Sequence, residues 1–327
     1  MAVQVTSFGR SHALSMSIHI NKKSFYISFV FYLPLSAEIK SISIKEIIMQ
    51  RIERISDLRE AVKLLREGGK QVGLVPTMGA LHEGHLSLVN TAKSNCDIVV
   101  VSTFVNPTQF NDPHDYETYP RTPKEDAELL RSAGVDILFA PSEEEVYPEP
   151  DTRQFDLGNV GAVMEGPRRP GHFNGVCQIV SKLFDFVEPD LAFFGEKDFQ
   201  QIAVIRRMLE ITGQNVKIFP CPIVREADGL AKSSRNLLLK PEWRAIAPTI
   251  HKVMIESLTW KGILSPQATR NKVIEMLNAT EYLRVEYYDI VDGRTLKSIS
   301  TWAESKEPVG CITVYCGDIR LIDNIHY

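Results

Sequence analysis

The 327-residue sequence contains no run of about 20 apolar residues, the length that a helix needs to cross a bilayer. Basic charge is not in excess: 37 lysines and arginines against 41 acids leave a net charge of −4. That balance excludes a chain that binds nucleic acid over its whole surface, and it leaves room only for a local basic pocket. Cysteine is scarce and odd in number. The five residues, Cys96, Cys177, Cys221, Cys311 and Cys316, are scattered, which argues against a disulfide framework and for reduced thiols in the cytoplasm, with Cys96 and Cys177 in the core. Cysteine partners at metal-ligand spacing are missing near the paired histidines. Glu83 stands between His82 and His85 without the H-E-x-x-H spacing of a zinc helix. Internal repeats and low-complexity tracts are absent as well. What remains is an ordinary globular composition, long enough for one large domain and a smaller one.

The first 48 residues stand apart from the rest. Lys22 and Lys23 precede the apolar stretch Ser24 to Leu35, in the charge-then-apolar order of a secretory signal, but Ser36-Ala37-Glu38 is a weak cleavage site. The reading adopted is that Met49 is the natural start and that 1–48 is an extension, disordered or the product of a mis-annotated start. The expected division is then 1–48, a domain over 49–238, and a small domain over 239–327 that covers the site.

The most informative stretch is Val75-Pro76-Thr77-Met78-Gly79-Ala80-Leu81-His82-Glu83-Gly84-His85. An apolar run, Gln71 to Val75, reads as a buried strand, and a helical pattern begins near His85. At such a junction the first amides of the helix lack intrahelical partners and the dipole is positive, so an anion is favoured there. In a helical turn His82 and His85 share one face. Gly84 between them leaves the backbone open to a close approach. The alternative reading makes the histidines hydrogen-bonded cap residues.

Along the chain, strands and helices alternate. Arg54 to Gly69 fits an amphipathic helix ended by Gly68-Gly69. Asp97 to Val105 reads as a second buried strand, which with the helix Leu86 to Ser94 makes a βαβ unit. It delivers Asn106-Pro107-Thr108-Gln109 at the sheet edge where α/β proteins bind ligands. Gln109 can donate and accept there, or Asn106 and Gln109 can simply tie down the loop. A helix over Pro123 to Ala133 and a strand over Asp136 to Ala140 follow, then a long loop or lid, Pro141 to Gly171. The pattern then gives a helix Asn174 to Val187, a strand Leu191 to Phe194, a helix Asp198 to Ile211 and a strand Val216 to Val224. Two of these strands run into polar clusters, Gly195-Glu196-Lys197-Asp198 and Lys232-Ser233-Ser234-Arg235. Lys232 and Arg235 suit a triphosphate, although a basic run can also be a solvated loop. Beyond Pro241, two helices (Glu242 to Leu258, Pro266 to Leu277), two strand-like runs and a short tail make an αβ piece of about 90 residues.

Taken together, five blocks resemble the pantoate-beta-alanine ligase family within the H-x-G-H nucleotidyltransferases. They are Pro76 to His85, Phe104 to Phe110, Tyr119 to Thr122, Gly195 to Gln201 and Asp228 to Asn236. A lone H-x-G-H is weak, but five blocks in this order are specific, and the likeness runs from about Arg54 to Asn324. It implies a Rossmann-like α/β fold, a parallel sheet with helices on both faces, followed by a smaller C-terminal α+β domain. It also implies a cytoplasmic homodimer that takes ATP with Mg²⁺, pantoate and beta-alanine, with neither nucleic acid nor membrane as partner. The expected reaction proceeds through pantoyl adenylate and releases AMP and pyrophosphate.

By the same resemblance, ATP is held by Met78, Gly79, Ala80, Leu81, His82, Glu83, Gly84 and His85, by Gly195, Glu196, Lys197 and Asp198, by Val224, and by Lys232, Ser233, Ser234 and Arg235. The catalytic set it implies is His85 as proton donor with His82, Lys197, Ser233 and Arg235. Gln109 and Gln201 match the pantoate residues, and Gln109 also faces beta-alanine. Metal ligands are unassigned. Lys232 departs from the pattern, which commonly has Met there.

Overall fold

The computed structural model describes residues 49–111 and 113–327 in full, and the backbone of 2–7, 13–19 and 28–32. The reading of 1–48 as an extension falls largely on residues outside those described. Its strands, β1 (Ala2–Ser7), β2 (Ala13–His19) and β3 (Ser28–Tyr32), pair antiparallel in that order and form a unit of their own.

Residues 49–327 form the other unit. Six strands, β4 (Gln50–Ile52), β5 (Val72–Thr77), β6 (Ile98–Thr103), β7 (Ile137–Phe139), β8 (Leu191–Gly195) and β9 (Lys217–Cys221), make a parallel sheet in the order β4-β7-β6-β5-β8-β9. Helices cover both faces. Leu74, Ile98 and Val100 pack on one side with Leu58, Val180 and Leu183, while Val75, Val99 and Val101 pack on the other with Leu88, Val89 and Leu130. This two-sided burial is why the central strands read as continuous apolar runs rather than alternating ones. Strand order reverses between β5 and β8. Crevices at such a switch point, beyond the carboxyl ends of the strands, are where open α/β sheets bind ligands. The histidine turn leaves β5 there and the Lys197 turn leaves β8.

The C-terminal part is a three-stranded antiparallel sheet, β10 (Leu283–Asp292), β11 (Pro308–Cys316) and β12 (Ile319–His326). It carries the helices Thr249–Leu258 and Pro266–Asn278 around a core that includes Trp243, Met254 and Tyr288. Two local expectations need correction, and one strand was not anticipated. Glu242 to Leu258 is two helices, Pro241–Ile246 and Thr249–Leu258, because Pro248 cannot supply the amide that a continuous helix requires. The short tail is the strand β12, whose inward polar residues hide its alternation. Strand β4 is a three-residue edge strand, too short for a periodic signal. The five cysteines are free, and all but the half-exposed Cys96 are buried.

One glycine fixes how the helix His172–Val187 meets the sheet edge. At Gly175 a Cβ would overlap the backbone carbonyl of Thr108 and crowd Gln109, and the Gly175 carbonyl accepts from Asn106 Nδ2 at 3.1 Å. Overpacking of this kind costs about 1–3 kcal/mol. Gly175→Ala should therefore lower the thermal midpoint by several degrees, and a calorimetric scan matching the parent would refute the contact.

Candidate active site

The turn after β5 is built to expose the start of a helix. Thr77 Oγ1 donates to the Ser102 carbonyl (2.7 Å) and accepts the Gly79 amide (3.2 Å). Gly79 and Ala80 both adopt left-handed backbone, φ 81° and 48°, which is disfavoured for alanine. The buried carboxylate of Asp126 holds the turn in place by accepting the amides of Ala80 (3.0 Å) and Leu81 (2.8 Å). Asp126 is a positioning residue that no local motif in the sequence announces.

The helix Glu83–Asn95 then starts on His82 as its N-cap. His82 Nδ1 accepts from the Gly84 amide at 3.1 Å, and His85 Nδ1 from the His82 amide at 3.3 Å. The rings lie 4.1 Å apart. The histidines therefore cap the helix, and their rings lie on one face. Gly84 is required first by the His82 ring, which a Cβ would meet at 2.7 Å. Burial, then His82, then Lys197 push the His85 imidazole down to about 3. Burial, Lys197 and Lys232 lower His82. With Nδ1 accepting in each ring, the proton of the neutral imidazole sits on Nε2.

A cleft of about 200 Å³ opens beside this turn. His85, Gln109, Asp198, Gln201 and Arg235 line it, together with an apolar wall from Val176, Ile179, Val180 and Leu183. Gln109 Nε2 donates to Met78 Sδ (3.1 Å) and its Oε1 accepts from Asn106 Nδ2 (3.2 Å). Asn106 is itself buried and accepts from the Tyr147 hydroxyl at 2.7 Å, so it orients the glutamine. Lys197 lines an adjoining cavity that shares Arg169, His172, Asp198 and Gln201 with the cleft. Its ammonium lies 3.6 Å from Asp198. The sequence reading missed Arg169 and His172, which lie in and just beyond the expected lid. A basic residue three positions before a histidine that opens an apolar helix was the available signal.

That segment is tied down rather than free. Gln200 donates to the carbonyls of Val160 (2.9 Å) and Val163 (2.8 Å) and accepts the Glu165 amide (3.0 Å). Glu165 in turn accepts from Arg320 (2.7 and 2.8 Å), Tyr287 (2.8 Å) and Thr313 (3.0 Å) of the C-terminal sheet.

The third basic cluster is also held by that sheet. Arg225 forks onto Asp323 of β12 at 2.7 and 2.9 Å. The neighbouring Asn324 donates to the carbonyls of Glu196 (2.7 Å) and Lys197 (3.2 Å). Downstream of Arg225, the Val224 carbonyl accepts the Lys232 amide (2.9 Å) and Ser233 Oγ caps the Arg235 amide (3.3 Å). Arg235 faces Asp115 at 3.5 Å. Ser234 hydrogen-bonds Tyr119, whose phenol is pushed up by burial. Lys232 is occupied by Glu83 (2.5 Å) and Glu226 (3.1 Å). Glu83 itself lies on a separate outer depression, and Glu196 lines another.

Turns carrying His82, His85 and Lys197 at the switch point of a parallel sheet, beside a small polar and apolar cleft, mark the class of nucleotide-using α/β proteins that handle a small polar molecule. The comparisons with known proteins agree. A family model described as pantoate-beta-alanine ligase matches residues 50–326, and the chain belongs to that family. It is 58% identical over 279 residues to the pantothenate synthetase of Porphyromonas gingivalis, covering 85% of this chain and 99% of the relative. It is 53% identical over 279 residues to that of Bacteroides thetaiotaomicron, with the same coverage. Among solved structures, pantothenate synthetase from Thermus thermophilus superposes with a TM-score of 0.79 at 43% identity, covering 85% of this chain and 99% of that one. The Francisella tularensis pantoate-beta-alanine ligase complexed with beta-gamma ATP and beta-alanine gives 0.72 at 34% identity, covering 85% and 97%.

Proposed function

We propose that this protein joins pantoate to beta-alanine at the expense of ATP, through pantoyl adenylate. The observation that carries the reading is the convergence of His85, Gln109, Gln201 and Arg235 on one cleft. A carboxylate oxygen of pantoate attacks the α-phosphorus and the bond to the bridging oxygen breaks, releasing pyrophosphate. The beta-alanine amine then attacks the acyl carbon, the acyl–oxygen bond breaks, AMP leaves and the nitrogen gives up a proton.

The adenylation needs no strong acid or base, because the carboxylate is ionised at pH 7 and pyrophosphate leaves readily. Alignment and charge neutralisation carry the rate. Within the stretch from Met78 to His85 the amides of Gly79, Ala80, Leu81, His82, Gly84 and His85 are already bonded, so it offers the phosphates two Nε2–H donors. His85, neutral at pH 7, serves as a hydrogen-bond donor and not as an imidazolium acid. Lys197 and Arg235 supply cationic charge, with Gly195 to Asp198, Val224 and Lys232 to Arg235 shaping the nucleotide's seat. Because Glu83 and Glu226 occupy Lys232, it closes the seat rather than meeting phosphate. Gln109 and Gln201 suit the two hydroxyls of pantoate, and Val176, Ile179 and Val180 suit its methyl groups.

Among the described residues no cluster of three His, Cys, Asp or Glu side chains could hold a metal. Mg²⁺ generally binds through substrate phosphates and one or two carboxylates. Asp198 beside Lys197 would hold Mg²⁺, which would offset phosphate charge. Among the described residues no helix is long and apolar enough to cross a membrane. A cytoplasmic location and a homodimeric state rest on family membership. The test is direct: protein, ATP and Mg²⁺ with both acids should yield AMP and pyrophosphate, each dependent on pantoate. Nucleotide turnover indifferent to pantoate, or satisfied equally by unrelated acids, would defeat the reading.

A further inference from the structure

We propose that Arg169, oriented by His172, receives the carboxylate of the amine substrate and so makes the second step selective for amino acids over plain amines. The inference rests on the ligase reading above. Arg169 lines both the cleft and the cavity behind Lys197. Its Nη1 donates to His172 Nε2 at 3.1 Å, and His172 Nδ1 donates to the Gln109 carbonyl at 2.8 Å. The guanidinium is thereby coupled to the very turn that presents Gln109.

What singles it out is the lack of a counter-charge. The other arginines around the site are paired: Arg225 with Asp323, Arg320 with Glu165, Arg235 with Asp115. Among the described residues Arg169 forms no ion pair. Glu165, one helical turn back, is already taken by Arg320, Tyr287 and Thr313. Burial, then the nearby Arg235, push the Arg169 guanidinium below its ordinary value. A partly desolvated charge without a counter-charge is costly, and a bound anion relieves that cost.

Three anionic groups meet here during turnover. The triphosphate has Lys197, Arg235 and the Nε2–H donors of the two histidines. The carboxylate of pantoate loses its charge on forming the acyl phosphate, so a fixed cation on it would stabilise the ground state over the transition state. The carboxylate of beta-alanine stays ionised throughout. It is the one group that a permanent, neutral-histidine-supported guanidinium can hold from binding to release.

The experiment separates the two half-reactions. In Arg169→Ala, pantoate-dependent ATP–pyrophosphate exchange should stay within about twofold of the parent, while the KM for beta-alanine rises roughly 30-fold, the loss of a charged hydrogen bond. The parent should prefer beta-alanine to n-propylamine, the same chain without the acid, and the variant should lose that preference. Arg169→Gln, closer in volume, should behave alike if the alanine variant folds poorly, and Arg169→Lys should recover part of the loss. An unchanged KM with preference retained overturns the assignment, as does an equal fall in exchange, which would put Arg169 on the triphosphate or on pantoate. Absence of exchange in the parent protein would remove the ligase reading itself, and this inference with it.

Discussion

Replacing Lys197 by alanine is expected to lower kcat by about 10²–10³, the range seen when one preorganised donor to developing charge is removed. The side chain leaves the switch point on a short helical turn, Glu196–Asp198, and Asn324 fixes the carbonyls of Glu196 and Lys197. Its ammonium has Asp198 at 3.6 Å as its only ion pair among the described residues. It is therefore placed before substrate arrives, and little reorganisation is needed as charge builds on the departing pyrophosphate. Because that charge is greater in the transition state than in bound ATP, kcat should fall more than KM rises. Steady-state kinetics with saturating pantoate read both, and a near-parental kcat would remove Lys197 from the reaction.

Arg320→Ala should destabilise the fold by about 3 kcal/mol, because it removes the cation that two carboxylates share. Arg320 reaches Glu165 at 2.7 Å and Glu286 at 2.6 Å. Burial alone would push the Glu165 carboxyl up, but Arg320, helped by Tyr287 and Thr313, outweighs it and holds it down at about 2. A drop from the ordinary 4.5 to about 2 corresponds to about 3 kcal/mol. The sign follows from the depressed folded value. The contribution is present in full above the unfolded value near 4.5, and it is lost as pH falls from there toward 2. Denaturant melts should show the parent weakening across that window. The variant should be less stable at pH 7 and flatter below pH 4.5. Equal stability at pH 7 would show that the cluster contributes nothing net.

How far the sequence could be read depended on whether a signal was local. The turn after β5 and the turn after β8 are written in consecutive residues, glycine and histidine in one, Glu-Lys-Asp in the other, each directly after an apolar run. Both were legible. So were the βαβ order and the helix His172–Val187, whose apolar stripe packs on the sheet. Asp126, Arg169 and His172 were not, since Asp126 and His172 act on turns far away in sequence and Arg169 works through His172. A buried carboxylate that accepts two amides of a distant turn looks, in sequence, like any helix acid. The strand β12 was hidden for the same reason. Arg320, Asp323 and Asn324 break the apolar alternation because they reach Glu165, Arg225 and the Lys197 turn. A strand recruited for its polar groups does not resemble one recruited for its core.

That strand also sets an order of events during synthesis. Arg225 depends on Asp323, 98 residues later, and the Glu196 carbonyl on Asn324, 128 residues later. A nascent chain still short of these two positions has already made Arg225 and the Lys197 turn, yet neither has its contact from β12. The contacts that hold these two distant positions are therefore the last to be synthesised, and they close only when β12 joins its sheet.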